Sequence, residues 1–299
     1  DWSSDVCSSD LDRSYDIPGV ISATVGLFTL VYGFNRAATH GWGNSTTLAL
    51  FAISGLFLVG FVVIERMVPN PLLPLRVVTE RNRGGSYLGS MVVGAGLFAM
   101  FLFLGLYLQV ILGYSPLRSG FAFLPFTAGI IIFAGIASQL MPKIGPKPLM
   151  IPGLVIAASG MFLLMRLTPT SSYVSHVLPS LLIISSGMAL CFIPLSTTSL
   201  HNVGTHDAGV ASAMMNTSQQ IGGSLGTALL NTVAATATSN YIASHAQMGK
   251  TVQVYGMVHG FTVAFQVGAI FLLVGALILL TFVNVGKDAV VENEGVVLH

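Results

Sequence analysis

GGSYLGSMVVGAGLFAMFLFLGLYLQVIL, residues 84–112, runs for 29 residues without a Lys, Arg, Asp or Glu. As a helix rising ~1.5 Å per residue, such a run is long enough to cross a ~30 Å hydrocarbon core. Seven further runs share the property: 17–34, 46–64, 119–141, 148–165, 177–200, 208–238 and 257–286. The 12 basic and 11 acidic residues all fall between or outside them. A buried helix of a soluble protein is usually shorter and keeps one polar stripe. Eight helices of this kind, in a chain with 8% charged residues, leave a soluble domain almost nothing to turn toward water. The sequence reads as an all-α polytopic membrane protein with eight transmembrane helices.

A mean hydropathy of +0.81 and 53% apolar residues agree with that class. A net charge of +1 gives no reason to expect nucleic acid as a partner. No basic stretch followed by a short apolar run and a small-residue cleavage site marks a signal peptide. Cys7 lies in a polar stretch and Cys191 inside an apolar run, so no disulfide is expected. DWSSDVCSSDL (1–11) differs in composition from everything after it and resembles a translated sequencing adapter, with a native polar loop as the alternative. On the adapter reading the chain is a fragment, and these residues are left out of the fold.

Basic residues give the orientation. With the N-terminus in the cytoplasm and alternating spans, Arg13, Arg66, Arg76, Arg81, Arg83, Lys143, Lys147 and Lys287 lie inside. Arg36, Arg118, Arg166 and Lys250 lie outside. Both termini are therefore expected in the cytoplasm of a cell-membrane protein. Between the second and third runs, ERMVPNPLLPLRVVTERNR (65–83) contains Pro69, Pro71 and Pro74, which argue against a regular helix. It is expected along the membrane surface with its arginines toward headgroups. It divides the chain as two helices plus six.

No HExxH, GxSxG, P-loop or intramembrane carboxylate pair is present, so neither an enzyme nor a cofactor is expected. His201, His206 and Asp207 could be taken for metal ligands, but a loop in which Thr205 or Asp207 caps the next helix is preferred, and no metal site is assigned. His259 reads as an interfacial residue, and Asn44-Ser45-Thr46 as a sequon of consequence only on a eukaryotic secretory route. The run 208–238 carries the one readable polar pattern. At ~100° per residue, Ser212, Asn216, Gln219, Gln220, Gly223, Thr227 and Asn231 share one arc, with Met214, Ile221, Leu225 and Leu229 on the other side. Amides are costly in hydrocarbon without a partner or a wet cavity. The stripe either lines a substrate path or hydrogen-bonds to neighbouring helices. Gly222/Gly226 have GxxxG spacing, a weak sign of close helix packing. Aromatic residues gather at Phe98, Phe101, Phe103, Tyr107, Phe121, Phe123 and Phe126. Tyr107 and Gln109 carry polar ends there and join the substrate-cavity candidates. Pro125 and Pro194 are expected to kink or break their spans.

Three stretches carry a resemblance: NPLLPLRVVTERN (70–82), QVILGYSPLRSGFAFLP (109–125) and DAGVASAMMNTSQQIGGSLGTALL (207–230). They are similar to the C-terminal half of the 14-spanner drug:proton antiporters of the major facilitator superfamily, over about residues 12–284. ASQLMPKIGPKPLM (137–150) resembles a degenerate copy of that superfamily's cytoplasmic loop motif, with Gly145 and Lys147 kept and its acidic residue absent. The resemblance implies four parts. Residues 1–11 stand apart, 12–83 hold the two extra central helices and a cytoplasmic linker, 84–286 form the six-helix transporter domain of two three-helix repeats, and 287–299 are a cytoplasmic tail. It also implies an N-terminal six-helix half missing from this chain, which in the family carries the proton-coupling acidic residue. The expected function is proton-coupled efflux of small hydrophobic compounds by alternating access, with substrate, protons and lipid as partners. The rivals are an exporter of one metabolite or antibiotic and a non-transporting scaffold or sensor.

Overall fold

The structure, a computed structural model, describes residues 16–68, 73, 75–201, 203–204 and 207–285. The segment 1–11 with Cys7, residues Arg13, Pro69, Pro71, Pro74, Thr205 and His206, and the tail 287–299 with Lys287 lie outside them. The described residues form ten α-helices and no strand.

Helices α1 (Ile17–His40) and α2 (Ser45–Met67) make a hairpin. Asn44 of the sequon begins α2, its side-chain oxygen accepting the Thr46 amide at 3.0 Å. A five-residue helix, α3 (Leu75–Thr79), then leads into α4 (Arg81–Leu106). Helix α3 departs from the expectation of no regular helix in 65–83. All three prolines precede Leu75, and a proline restricts the residue before it while tolerating a helix after it. Glu80 starts α4, its carboxylate accepting the amides of Asn82 (3.1 Å) and Arg83 (2.9 Å).

The arginines of this segment do not simply face headgroups, which corrects the sequence reading. Arg83 is buried, and donates to the carbonyls of Val77 (2.9 Å), Arg76 (2.9 Å) and His201 (3.3 Å). Arg76 pairs with the Asp207 carboxylate at 2.9 Å, and Arg81 donates to the Thr281 carbonyl at 2.6 Å. A planar guanidinium with five donors can tie several chain ends together where headgroups would engage only one.

Expected run 119–141 is two helices, α5 (Pro116–Ala122) and α6 (Leu124–Ile144), separated at Phe123 with Pro125 in the first turn of α6. The break expected at Pro125 is there. Gly145, at φ 85°, closes α6 in a backbone conformation few other residues adopt. Helix α7 (Lys147–Leu164) follows, then α8 (Leu178–Ser199), α9 (Ala208–Ser244) and α10 (Val252–Phe282). Pro194 does not break α8; it is buried inside an unbroken helix, held by the surrounding bundle. Short π-helical turns extend α4 at Tyr107–Ile111 and precede α8 at Tyr173–Val177.

Two ends of the bundle are tied by polar contacts. At one, besides the arginine bonds, Tyr87 donates to the Ser199 carbonyl and the Asn284 amide donates to Asn82 at 2.7 Å. At the other, Tyr107 donates to the Thr168 carbonyl (2.9 Å), Tyr173 to the Ala122 carbonyl (2.7 Å), and the Tyr241 ring lies 5.0 Å from His259. The helices therefore alternate in direction.

Helix α4 packs along α9 and α10, α8 along α6 and α7, and α7 along α10, with a lesser contact of α4 with α8. Exchanging α4 with α8, α6 with α9 and α7 with α10 returns the same pairs. The exception is that α9 lies along α10 whereas α6 barely meets α7. This is the packing of two three-helix repeats of opposite direction. The hairpin joins it mainly where α1 lies on α9.

Among the described residues, seven helical stretches are long and apolar enough to cross a membrane, and they match every expected run except 208–238. That run is α9, whose 37 residues are long enough but not apolar enough. Counting charges alone passes over the amides and hydroxyls that lower its hydropathy.

Candidate substrate cavity

The buried face of α9 is a line of mostly small residues. Gly222, Gly226, Leu230 and Ala234 are spaced by four and buried. A methyl group at Gly222 would strike the Met91 carbonyl of α4, and one at Gly226 would lie 2.5 Å from the Ala95 Cα. From the other side, Gly94 of α4 meets the backbone of Gln219. The weak GxxxG signal thus marks the tightest seam of α9, and Met214, Ile221, Leu225 and Leu229 are only half-buried. The backbones approach this closely because no Cβ keeps them apart.

Rotating away from this seam brings out the polar stripe, which divides into two parts. Ser212, Asn216 and Gln220 are exposed on the half of α9 nearer the arginine-rich end, and Gln219 is half-buried. The Asn216 amide donates to the Ser212 carbonyl at 3.0 Å, so it is satisfied within its own helix. Gly223 is buried under the Phe98 ring, 2.7 Å from the position a Cβ would take. Thr227 and Asn231 open into a cavity of about 330 Å³. Helix α1 supplies Val31, Asn35 and Thr39 to its wall, α4 supplies Leu102 and Leu106, and Ser224 joins from α9. A second cavity, of about 540 Å³, shares Leu106 and Asn231 and continues outward past Thr238 and Ser239 to Phe103 and Phe261.

Tyr107 and Gln109 are not brought to this place. Tyr107 is buried in the core, its hydroxyl spent on the Thr168 carbonyl, and Gln109 is exposed on the π-helical turn. Of the aromatic group, Phe103 lines the second of these cavities, Phe121 borders a separate cavity beside α5, and Phe98 and Phe101 are exposed. Gly145 serves as the left-handed end of α6, and Lys147 stands half-buried at the start of α7. Asp207 precedes α9 but caps no amide with its side chain, since Arg76 holds its carboxylate. No cluster of His, Cys, Asp or Glu fit to hold a metal occurs among the described residues.

The α1 contribution was not anticipated. Asn35 and Thr39 lie just beyond the charge-free run 17–34, where polar residues normally signal only that a span has ended. Their spacing of four, which places them on one face, was the available clue. Chemically, both cavities offer apolar walls with amides and hydroxyls and no ionisable lining group. They can bind and orient a neutral solute, and they cannot take up a proton.

The family model described as Major Facilitator Superfamily matches residues 15–227. The chain belongs to the major facilitator superfamily. The puromycin resistance protein pur8 of Streptomyces alboniger is 44% identical over 262 residues, which are 86% of this chain and 52% of that protein. The cephamycin export protein of Amycolatopsis lactamdurans is 35% identical over 235 residues, 77% of this chain and 48% of its own. The tetracenomycin C resistance and export protein of Streptomyces glaucescens is 28% identical over 225 residues, 75% and 41%. The chain therefore spans about half the length of the curated relatives it matches. A solved structure of a bacterial homolog to the human lysosomal transporter Spinster, inward-facing and occupied, shares the fold at a TM-score of 0.57. That match covers 87% of this chain and 64% of the other at 13% identity. Family and fold make this chain a multi-pass membrane protein of a transporter superfamily.

Proposed function

We propose that the chain is the C-terminal eight-helix portion of a 14-spanner proton-driven exporter of small, largely hydrophobic compounds in the cell membrane. The observation that carries this reading is the uncharged, amphipathic cavity between α1, α4 and α9, continued by an exposed row of amides along α9. Residues 12–83 are the extra hairpin and linker, 84–286 the six-helix domain and 287–299 a cytoplasmic tail. The exposed half of the stripe faces a six-helix partner half, and the two halves rock about a cavity at mid-membrane. Proton uptake belongs to the partner, since the cavity lining here holds no carboxylate. The membrane potential contributes ~2.3 kcal/mol per proton per 100 mV.

The names of the three relatives given above favour the narrower rival, namely export of one antibiotic. Puromycin is the first compound to test. Co-expressed with the N-terminal half of a relative, the chain is expected to lower puromycin accumulation in cells, and Asn216→Leu and Gln220→Leu to impair that export per folded molecule. Leu225→Ile, on the half-buried apolar side, should leave it unchanged. Unaltered export in both stripe variants would return the stripe to a helix-packing role.

The arginine-rich end is the cytoplasmic one in this reading. Cysteines placed at 44 and 170, after removal of Cys7 and Cys191, are expected to react with an impermeant thiol reagent in intact cells, and those at 81 and 143 only after lysis. Labelling at 81 without labelling at 44 would reverse the orientation.

A further inference from the structure

We propose that the cavity between α1, α4 and α9 is a binding site for a neutral small molecule bearing an amide or comparable carbonyl on an apolar frame. The α1–α2 hairpin completes this site through Asn35 and Thr39. The inference rests on the export reading for the source of such a molecule, and on the geometry alone for its binding.

Asn35 and Asn231 reach the same cavity from different helices, and neither side-chain amide has a hydrogen-bond partner among the described residues. Each offers two N–H donors and a carbonyl acceptor. The two threonines complement them. Thr227 donates to the Gly223 carbonyl at 2.8 Å, so its proton is directed at its own helix and its oxygen remains an acceptor, while the Thr39 oxygen lies 2.7 Å from His40 Nδ1 and 3.1 Å from the Arg36 carbonyl. Two amides that each donate and accept, with serine and threonine oxygens beside them and no ionisable residue in the lining, suit a ligand group that also does both. An amide is such a group. A charged ligand would lose its hydration without gaining a counter-charge.

The remaining wall, Leu102 and Leu106 of α4 with Val31 of α1, supplies apolar contact. Size agrees: about 330 Å³, adjoining about 540 Å³ through Asn231 and Leu106, lies within the ~300–1,000 Å³ typical of small-molecule sites. The hairpin is thus more than a spacer between halves, because without α1 the cavity loses two of its five polar side chains and one side of its wall.

The test is photolabelling of the whole chain in phosphatidylcholine vesicles with 4-benzoylbenzamide, a neutral photoreactive ketone carrying a primary amide. Cross-linked peptides are mapped by mass spectrometry. Saturable labelling is expected on both 31–39 and 224–231, displaced by excess benzanilide. Asn35→Leu and Asn231→Leu should each lower it about fivefold, the size of one net hydrogen bond. Asn35→Gln and Asn231→Gln, which keep the amide, should retain most of it and control for folding. Labelling spread over lipid-facing helices, or displaced only by lipid, would overturn the site. Labelling of 224–231 that ignores Asn35→Leu would remove the hairpin from it. The readout needs no transport, so lost puromycin export with intact labelling would count against the export reading and not against this one.

Discussion

Replacing Arg83 with Leu is expected to lower the midpoint of thermal unfolding in detergent by more than about 10 °C, or to stop the chain from accumulating. The guanidinium is buried and ties three chain segments together through the carbonyls of Arg76, Val77 and His201. A hydrogen bond to a charged group is worth ~1.5–3 kcal/mol, and each buried carbonyl left without a donor costs ~1–3 kcal/mol. Three such losses compare with a total stability of ~5–15 kcal/mol for an ordinary domain. Arg83→Lys should recover little, because one ammonium cannot reproduce a fork aimed at three carbonyls. Arg81→Leu is the comparison: that side chain is exposed, bonds one carbonyl and should cost ~1 kcal/mol. Equal midpoints for Arg83→Leu and the parent chain, read by size-exclusion of heated samples, would show that the arginine does not hold this end together.

Gly222→Val should be nearly as damaging, for a steric reason. Its Cβ would meet the Met91 carbonyl, which is backbone within α4 and cannot swing aside as a flexible side chain would. Overpacking of a tight core costs ~1–3 kcal/mol, and more where backbone must move. The seam also includes Gly94 and Gly226, so relief requires α9 to separate from α4 along its length. Gly222→Ala should already lower the midpoint, and Gly222→Val further. Gly60→Ala in α2, with nothing within 4 Å of its Cβ position, should be neutral or slightly stabilising, since Ala is preferred to Gly in helices by ~1 kcal/mol. A seam that tolerates valine would mean that α4 and α9 are not in backbone contact.

Most of the fold could be read from where charges are absent, because lipid penalises a charge strongly enough to leave a gap in the sequence wherever a helix crosses. The breaks were harder. Pro125 separates α5 from α6 while Pro194 rides through α8, and the two prolines look alike in sequence. What differs is the packing around them, which no local pattern records. The arginines of 76–83 were misjudged for a related reason. Facing headgroups and facing carbonyls draw on the same residue type, and only the meeting of 76–83 with 199–207 decides between them. In the site, periodicity found Thr227 and Asn231 because they share an arc of one helix. It could not find Asn35 and Thr39, which join them from some two hundred residues away. Nor could it foresee that a π-helical turn would leave Gln109 exposed while the Tyr107 hydroxyl served a loop carbonyl.

The modest hydropathy of α9 bears on how the chain is made. A ribosome delivers helices to the membrane one after another, and a segment with several amides gains little by leaving the insertion channel alone. Helix α10 is apolar, is synthesised immediately afterwards and lies along α9 in the finished bundle. The pair can enter together, with α9 passing directly from the channel to the glycine seam on α4. On this account α9 is expected to settle only once α10 follows it. A ribosome stalled with α9 clear of its exit tunnel and α10 still inside would be expected to leave α9 accessible from the aqueous side.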